Sequence, residues 1–478
     1  MKPIHFAAGV AVTTLFFGGA LVVASKIQYD ADGRAIERLI ADYKAMGVAT
    51  NGTDFFHKIP DSQNAWVDIA PLLFNKHGFG NGPLYRVGIA NDLLMAGTQA
   101  DLPAMRRYLA VNQPIRDKID KAFAGKPNLQ VPHNYNEGYA MLLPEFATMK
   151  GLVKDYSLAA YVAALQGDTS AMRRNFDSAK RLTQHCETRD ELIGRLLGAA
   201  CMKIMANAGL RIVEAKPGML HEVAQYFTSP DFFHPGNDLR ILEGDFMAQV
   251  VTARAFDSTL MDKKTFSGPL ARLFPAPSLS ELEKAGKVRQ DDYMPESHTV
   301  RRFLRRRLER WKPFMTDLVS GKITPFDRPG EFAACFDAVI DAPPQLMQVY
   351  DMTDADSILE NFNIDVETNA LIQTIFKSLE AKAKTGHYPA NLHEIGVQIP
   401  GHVGDAGFDY YFDERGAVIQ SKRLNESGFP SVQIAFPVNL EQSSPTRDYR
   451  KTIDDFAAWR TDDRGNPLTW KLSKPPSR

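Results

Sequence analysis

Two His-Glu neighbours, His221-Glu222 and His393-Glu394, carry the residue types that move protons near neutral pH, and a histidine with a carboxylate is a common general acid/base couple. Nothing local joins them, and eleven histidines in 478 residues is an ordinary number. His185-Cys186 sets two metal-ligand types side by side, but a histidine at a helix end is favoured by the helix dipole without any metal. Asp30-Ala-Asp32-Gly33 begins like a calcium loop yet lacks the third acidic ligand and the closing glutamate. Asp351, Asp354 and Asp356 precede Ile358-Leu359 at helix-start spacing without a glycine, so both aspartate sets read as helix caps. The glycines of Lys76-His-Gly-Phe-Gly-Asn-Gly-Pro83 neither follow a strand nor open a helix, as a phosphate loop must. Neither Gly-x-Ser-x-Gly, His-Glu-x-x-His nor a P-loop occurs. No catalytic residue, metal ligand or cofactor site is therefore assigned, and the reading leans away from an enzyme.

The elements that would position such groups begin with Ile4 to Ser25, an apolar run without charge. At a rise of about 1.5 Å per residue, about twenty residues cross a hydrocarbon core of about 30 Å. An uncleaved transmembrane anchor over residues 1–26 is the expectation. The alternative is a cleaved secretory signal with Val22 and Ala24 before Ser25, although such apolar regions usually run about 7–15 residues. Lys2 on the short side, weakly opposed by Lys26, leaves the bulk of the chain outside the cytoplasm. This describes a single-pass protein of the bacterial inner membrane facing the periplasm or outer face. Ala7, Ala11, Thr14, Gly18 and Ser25 share one helical face, which suits either lipid or a second membrane helix.

Composition sets further limits. A chain 44% hydrophobic and 24% charged buries a large core or two and lies far from the disordered regime. Fifty-six basic residues against fifty-seven acidic ones exert no long-range pull on nucleic acid, so none is expected as a partner. Three cysteines, Cys186, Cys201 and Cys335, are too few for a disulfide framework.

Residues 27–345 read as an extended body of helical hairpins. Asp30 and Asp32 are placed to cap a helix bearing Ile36, Leu39, Ile40 and Tyr43, and Ile59-Pro60-Asp61 opens one bearing Trp66, Ile69, Ala70 and Leu73. From about Ala100 onward the apolar spacing predicts helices over Leu102–Leu109, Ile115–Phe123, Tyr139–Leu165, Ser170–Thr183, Glu191–Ile212 and Leu220–Tyr226. The short breaks between them favour antiparallel neighbours. Gly167-Asp168, followed by Met172, Phe176 and Ala179, is close to the second helix of a hairpin repeat, and Thr188-Arg-Asp-Glu191 is a capping box. Cys186 ends the row Met172, Phe176, Ala179, Thr183, while Cys201 lies about 20 Å along the next helix, too far for a disulfide. A helix with Leu239, Leu242, Phe246 and Val250 leads to a segment punctuated by Pro269, Pro275 and Pro277. In Arg301-Arg-Phe-Leu-Arg-Arg-Arg-Leu-Glu-Arg-Trp-Lys312 the arginines share one side of a helix whose apolar face is Leu304, Leu308, Trp311, Met315 and Leu318. That side suits solvent, anionic headgroups near the anchor, or an acidic partner.

Residues 346–478 carry a family likeness. A helix Ala370–Lys384 runs into Thr385-Gly-His-Tyr-Pro-Ala-Asn-Leu-His-Glu-Ile395, then a strand Phe408–Phe412, a turn at Asp413–Gly416 and a second strand Ala417–Ser421. This order resembles the globular half of the major pseudopilin of type II secretion. It is also similar to the C-terminal module of large bacterial envelope proteins with a single anchor and a helical body, which Ile59-Pro-Asp-Ser-Gln-Asn-Ala65 and the Gly167-Asp168 turn fit as well. The chain departs from pseudopilins in lacking a prepilin processing site and in placing the module at the other end. The resemblance implies a small α+β module with an antiparallel sheet, in which Leu371, Ile375, Leu379 and Ala383 cover the sheet while Tyr388 and Leu392 seal its edge. The fold class expected is thus mainly α: an N-terminal transmembrane helix, an extended helical-hairpin body and this module. A membrane and a protein are the partners expected. The function expected is non-enzymatic protein binding or scaffolding in the cell envelope, with an extracytoplasmic hydrolase of unrecognised type and an accessory to a secretion or pilus machine as alternatives.

Overall fold

The computed structural model describes residues 26–74, 88–141, 143–187, 192–233, 238–262, 297–324, 327–336, 364–396, 408–413, 416–421 and 433–436. The apolar run Ile4 to Ser25, the glycine run from Lys76 to Pro83, the Thr188–Glu191 box, Pro269 to Pro277 and Asp351 to Asp356 lie outside them. The described residues are mainly helical with one small antiparallel sheet. They form two compact units interleaved along the chain: one from the described residues within 1–57, 133–142 and 237–360, the other from those within 58–132, 143–236 and 361–478. The linear reading instead placed a boundary at 345/346, a point outside the described residues.

The first unit contains α1 (residues 26–45), α2 (Gly52–Phe55), α10 (Asp238–Asp262), α11 (Ser297–Val319) and α12 (Pro329–Phe336). The predicted apolar face of α11 is buried throughout, from Leu304 to Leu318, because the spacing of four and three brings all five side chains to one side. Tyr43 and Phe246 lie 4.6 Å apart by ring centroid, Phe246 and Trp311 5.6 Å, and the Tyr43 hydroxyl donates to the Leu308 carbonyl at 2.7 Å. The capping role expected of Asp30 and Asp32 is corrected: the helix already runs from residue 26, which places both inside it. Asp32 is buried and accepts Arg305 Nη1 at 2.7 Å and Gln28 Nε2 at 2.9 Å. A carboxylate out of water needs such a partner, so this aspartate joins α1 to α11. Asn51 caps the short α2, its side chain accepting from the Asp54 amide.

The second unit holds α3 (Trp66–Leu73), α4 (Gly88–Ala96), α5 (Leu102–Gly125), α6 (Pro144–Gln166), α7 (Thr169–Glu187), α8 (Leu192–Ala215), α9 (Leu220–Phe227) and α13 (Ile364–Thr385). Where the spacing predicts two helices, Leu102–Leu109 and Ile115–Phe123, α5 runs continuously through Pro114, and Arg116 in the following turn donates to the Leu109 carbonyl in the turn before. Gly167, at φ 83°, ends α6, and the Asp168 side chain accepts from the Ala171 amide at the start of α7. Met172, Phe176, Ala179 and Thr183 are all buried, as their spacing predicts. Among the described residues α8 alone is long and apolar enough to cross a membrane, yet 61% of its apolar window is buried. It packs on α6, α7, α9 and α13 as a core helix, and its buried Arg195 lies 3.9 Å from the buried Asp365 carboxylate of α13.

The sheet runs β1-β2-β3: β1 (Phe408–Asp413), β2 (Gly416–Ser421) and β3 (Gln433–Phe436), with both pairings antiparallel. Phe408 pairs with Ser421 and Phe412 with Ala417, as the alternation in the sequence requires. The third strand was not foreseen. Helix α13 buries Leu371 and Ile375 in the core shared with Ile419 of β2, and Leu379, Tyr388 and Leu392 pack half-buried against it. Ala383, expected on that face, is exposed because the helix has run past its cover. The same helix packs on α8 and α9, so it serves the upstream bundle and the sheet together.

Cys201 and Cys335 are buried free thiols. Burial pushes the Cys335 thiol up to about 12. Since only the thiolate alkylates, Cys335 is expected to resist iodoacetamide in the folded protein at pH 8 and to label fully in denaturant. Mass spectrometry of the two digests checks this, and rapid native labelling would contradict the burial.

Candidate functional site

Among the described residues the second unit contains an open groove of about 1350 Å³ with α5 and α7 as its walls. Ala159, Val162 and Ala163 of α6 form the floor; all three are buried, and their small size is what leaves room above the helix. The walls carry Arg106, Asp117 and Asp120 from α5 and Arg174, Lys180 and Arg181 from α7, so both signs of charge face the cleft. Ligand pockets for small molecules measure about 300–1,000 Å³ and enclose their occupant. This groove is larger and open, a shape that suits a polypeptide better than a metabolite.

Two of its carboxylates are held by phenol and hydroxyl donors. Asp120 accepts from the Tyr156 hydroxyl at 2.8 Å and from Ser178 Oγ at 2.7 Å, while Asp177 accepts from the Tyr226 hydroxyl at 3.1 Å. Burial, with the neighbouring carboxylate adding to it, pushes both tyrosines far above the ordinary phenol range. They donate as neutral phenols at any physiological pH. The Arg181 guanidinium donates to the Phe123 carbonyl at 2.5 Å, tying the α7 wall to the end of α5. Beneath the cleft Arg116 meets Asp155 at 2.7 Å, both buried, and Asn112 Nδ2 donates to the other oxygen of Asp155 at 3.2 Å. The Asp155 charge also adds to burial in raising Tyr108.

The pairs that the sequence singles out for chemistry do not converge here. His221 Nδ1 lies 3.1 Å from Glu380 Oε1, an exposed contact of α9 with α13 rather than a pair with Glu222. Glu394 is occupied as a cap: its carboxylate accepts from the Ala390 amide and from Asn391 Nδ2, and its own amide donates to Asn391 Oδ1. His185 is buried in the last turn of α7, where the helix dipole favours it. Among the described residues no group of three His, Cys, Asp or Glu is placed to hold a metal ion. Sequence reasoning missed the groove because its walls come from separate helices. The available signal was the run of small residues Ala159-Ala160 and Ala163-Ala164 along α6 between two charged helices.

No protein-family model, curated protein or solved structure matches the chain.

Proposed function

We propose that the protein is a membrane-tethered component of the bacterial cell envelope, facing the periplasm or outer face. An extended helical-hairpin body binds a protein partner, and no chemistry is performed. The observation that carries this reading is the open groove on α6, whose floor is apolar and whose Asp120 and Asp177 carboxylates are fixed by hydrogen bonds from Tyr156, Ser178 and Tyr226. A general acid or base must be free to exchange a proton with substrate, whereas groups locked in this way suit a rigid docking surface. The tether is supported by the uncharged run Ile4 to Ser25. An accessory role in a secretion or pilus machine is the second reading; what supports it is the resemblance of the sequence Ala370 to Ser421 to the pseudopilin globular half, together with a helix α13 that packs on β2 beside the antiparallel β1-β2 pair.

A photo-crosslinking amino acid placed at Arg174 or Lys180 of the full chain in native membranes tests the groove. Discrete adducts of one mass are expected from these positions and none from the exposed Glu214 outside the groove. Equal adducts at all three would remove the groove from the reading, and turnover of a small ester or glycoside by the purified chain would replace it with the hydrolase.

A further inference from the structure

The first unit has a groove of its own, about 920 Å³, between α1, α10 and α11. Its floor is apolar, with Ile36, Val300 and Leu304 all buried, and its rim sets four arginines, Arg34, Arg38, Arg254 and Arg301, against the carboxylates Asp30 and Glu37. Both carboxylates are engaged: Arg254 Nη2 donates to Glu37 at 2.6 Å, and Lys26 lies 3.8 Å from Asp30. The rim sets these four arginines and two carboxylates over an apolar base, with Arg301 also donating to the Tyr29 carbonyl at 3.5 Å, a combination that suits an amphiphile with an anionic head.

Direction along the chain says which amphiphile. Tyr29 meets Arg301, Asp32 meets Arg305, Asp42 meets Lys312 and Met46 meets Thr316, so α1 and α11 run parallel. Both helices thus have their N-terminal ends at Lys26, the residue that follows the apolar run Ile4 to Ser25. At about 1.5 Å per residue, Tyr29 lies about 5 Å and Arg34 about 12 Å beyond Lys26 along α1. The headgroup layer accounts for about 5–8 Å on each side of the hydrocarbon core, and charge acts over a Debye length of about 8–10 Å. Tyr29, with Arg301 3.5 Å above its ring, is the kind of residue that settles at such an interface.

We propose that this groove holds the phosphate-bearing headgroup of an anionic phospholipid, with Arg34 and Arg301 donating to its phosphate oxygens and Val300, nearer the membrane end of the groove, meeting the glycerol. The inference rests on the membrane-tethered reading above and deepens it. Arginine suits the role because its planar fork can donate two parallel hydrogen bonds to one phosphate.

Native mass spectrometry of the full chain in nonionic detergent, titrated separately with phosphatidylglycerol, phosphatidylcholine and inorganic phosphate, tests it. The wild type is expected to retain phosphatidylglycerol selectively. The Arg34→Gln/Arg301→Gln double variant is expected to lose that selectivity by about thirtyfold, at about tenfold per ~1.4 kcal/mol and about 1 kcal/mol per arginine. Lys121→Gln in α5 should leave it unchanged, and circular dichroism shows whether each variant keeps its fold. Undiminished phosphatidylglycerol binding in the folded double variant overturns the site. Inorganic phosphate binding as tightly as the lipid overturns the headgroup as its occupant. Flotation with vesicles of phosphatidylcholine alone reports on the tether: a chain that stays unbound there yet selects phosphatidylglycerol in detergent keeps this site and loses the anchor.

Discussion

Asp155→Ala is expected to destabilise the second unit by about 3–5 kcal/mol, the cost of leaving one partner of a buried ion pair uncompensated. Arg116 and Asp155 are 3% and 0% exposed, so water cannot take over the role of the lost carboxylate. The guanidinium would keep only the Leu109 carbonyl and Gln113 Oε1, and Asn112 would lose its acceptor. Against a typical domain stability of about 5–15 kcal/mol, this is a large fraction. Hydrogen exchange read by mass spectrometry suits a chain of two units, because it follows α5 and α6 directly and makes no assumption of a single transition. Protection should fall in α5 and α6 together, and an Arg116→Met/Asp155→Leu double variant should regain much of it because neither charge is then buried alone. If Asp155→Ala costs less than about 1 kcal/mol, a figure typical of exposed pairs, the network beneath the groove is wrongly placed.

The parts of this fold that the sequence discloses are those governed by local period. The buried rows of α7 and α11 follow from apolar spacing of three and four. The β1-β2 register likewise follows from alternation around a short connection. What stays hidden depends on partners far apart in the chain. Asp32 has the composition of a cap when read beside Gly33, and only its contact with Arg305 shows it to be a buried charge within a helix. Arg301, Arg305 and Lys312 look like one solvated face, yet each engages a different residue of α1. Strand β3 had a legible signal, since Gln433-Ile-Ala-Phe436 is a short β-prone run between Pro430 and Pro437, but its place beside β2 is a long-range fact. The groove on α6 is the extreme case: each wall can be predicted as a helix, and the gap between the walls belongs to neither.

Helix α13 shows the same limit with an energy attached. Its sequence pattern fits a helix that covers a small sheet, and it does bury Leu371 and Ile375 with Ile419 of β2. The neighbouring Phe376 is fully buried too, and its ring lies parallel to Phe227 of α9, with centroids 4.7 Å apart and planes 6° apart. Both rings crowd Gly209 of α8, where an added Cβ would sit 2.5 Å from Phe227 and 3.0 Å from Phe376, so α8 is kept bare to admit them. Phe376→Ala should then cost about 3–5 kcal/mol, against a smaller loss for the half-buried Leu379→Ala. The location of the effect separates the two roles of the helix. If α13 belonged to a self-standing C-terminal module, Phe376→Ala would speed exchange only within residues 364–436 and leave α8 and α9 protected. With Phe376 wedged against Gly209 and Phe227, the amides of α8 and α9 are expected to lose protection together with those of α13.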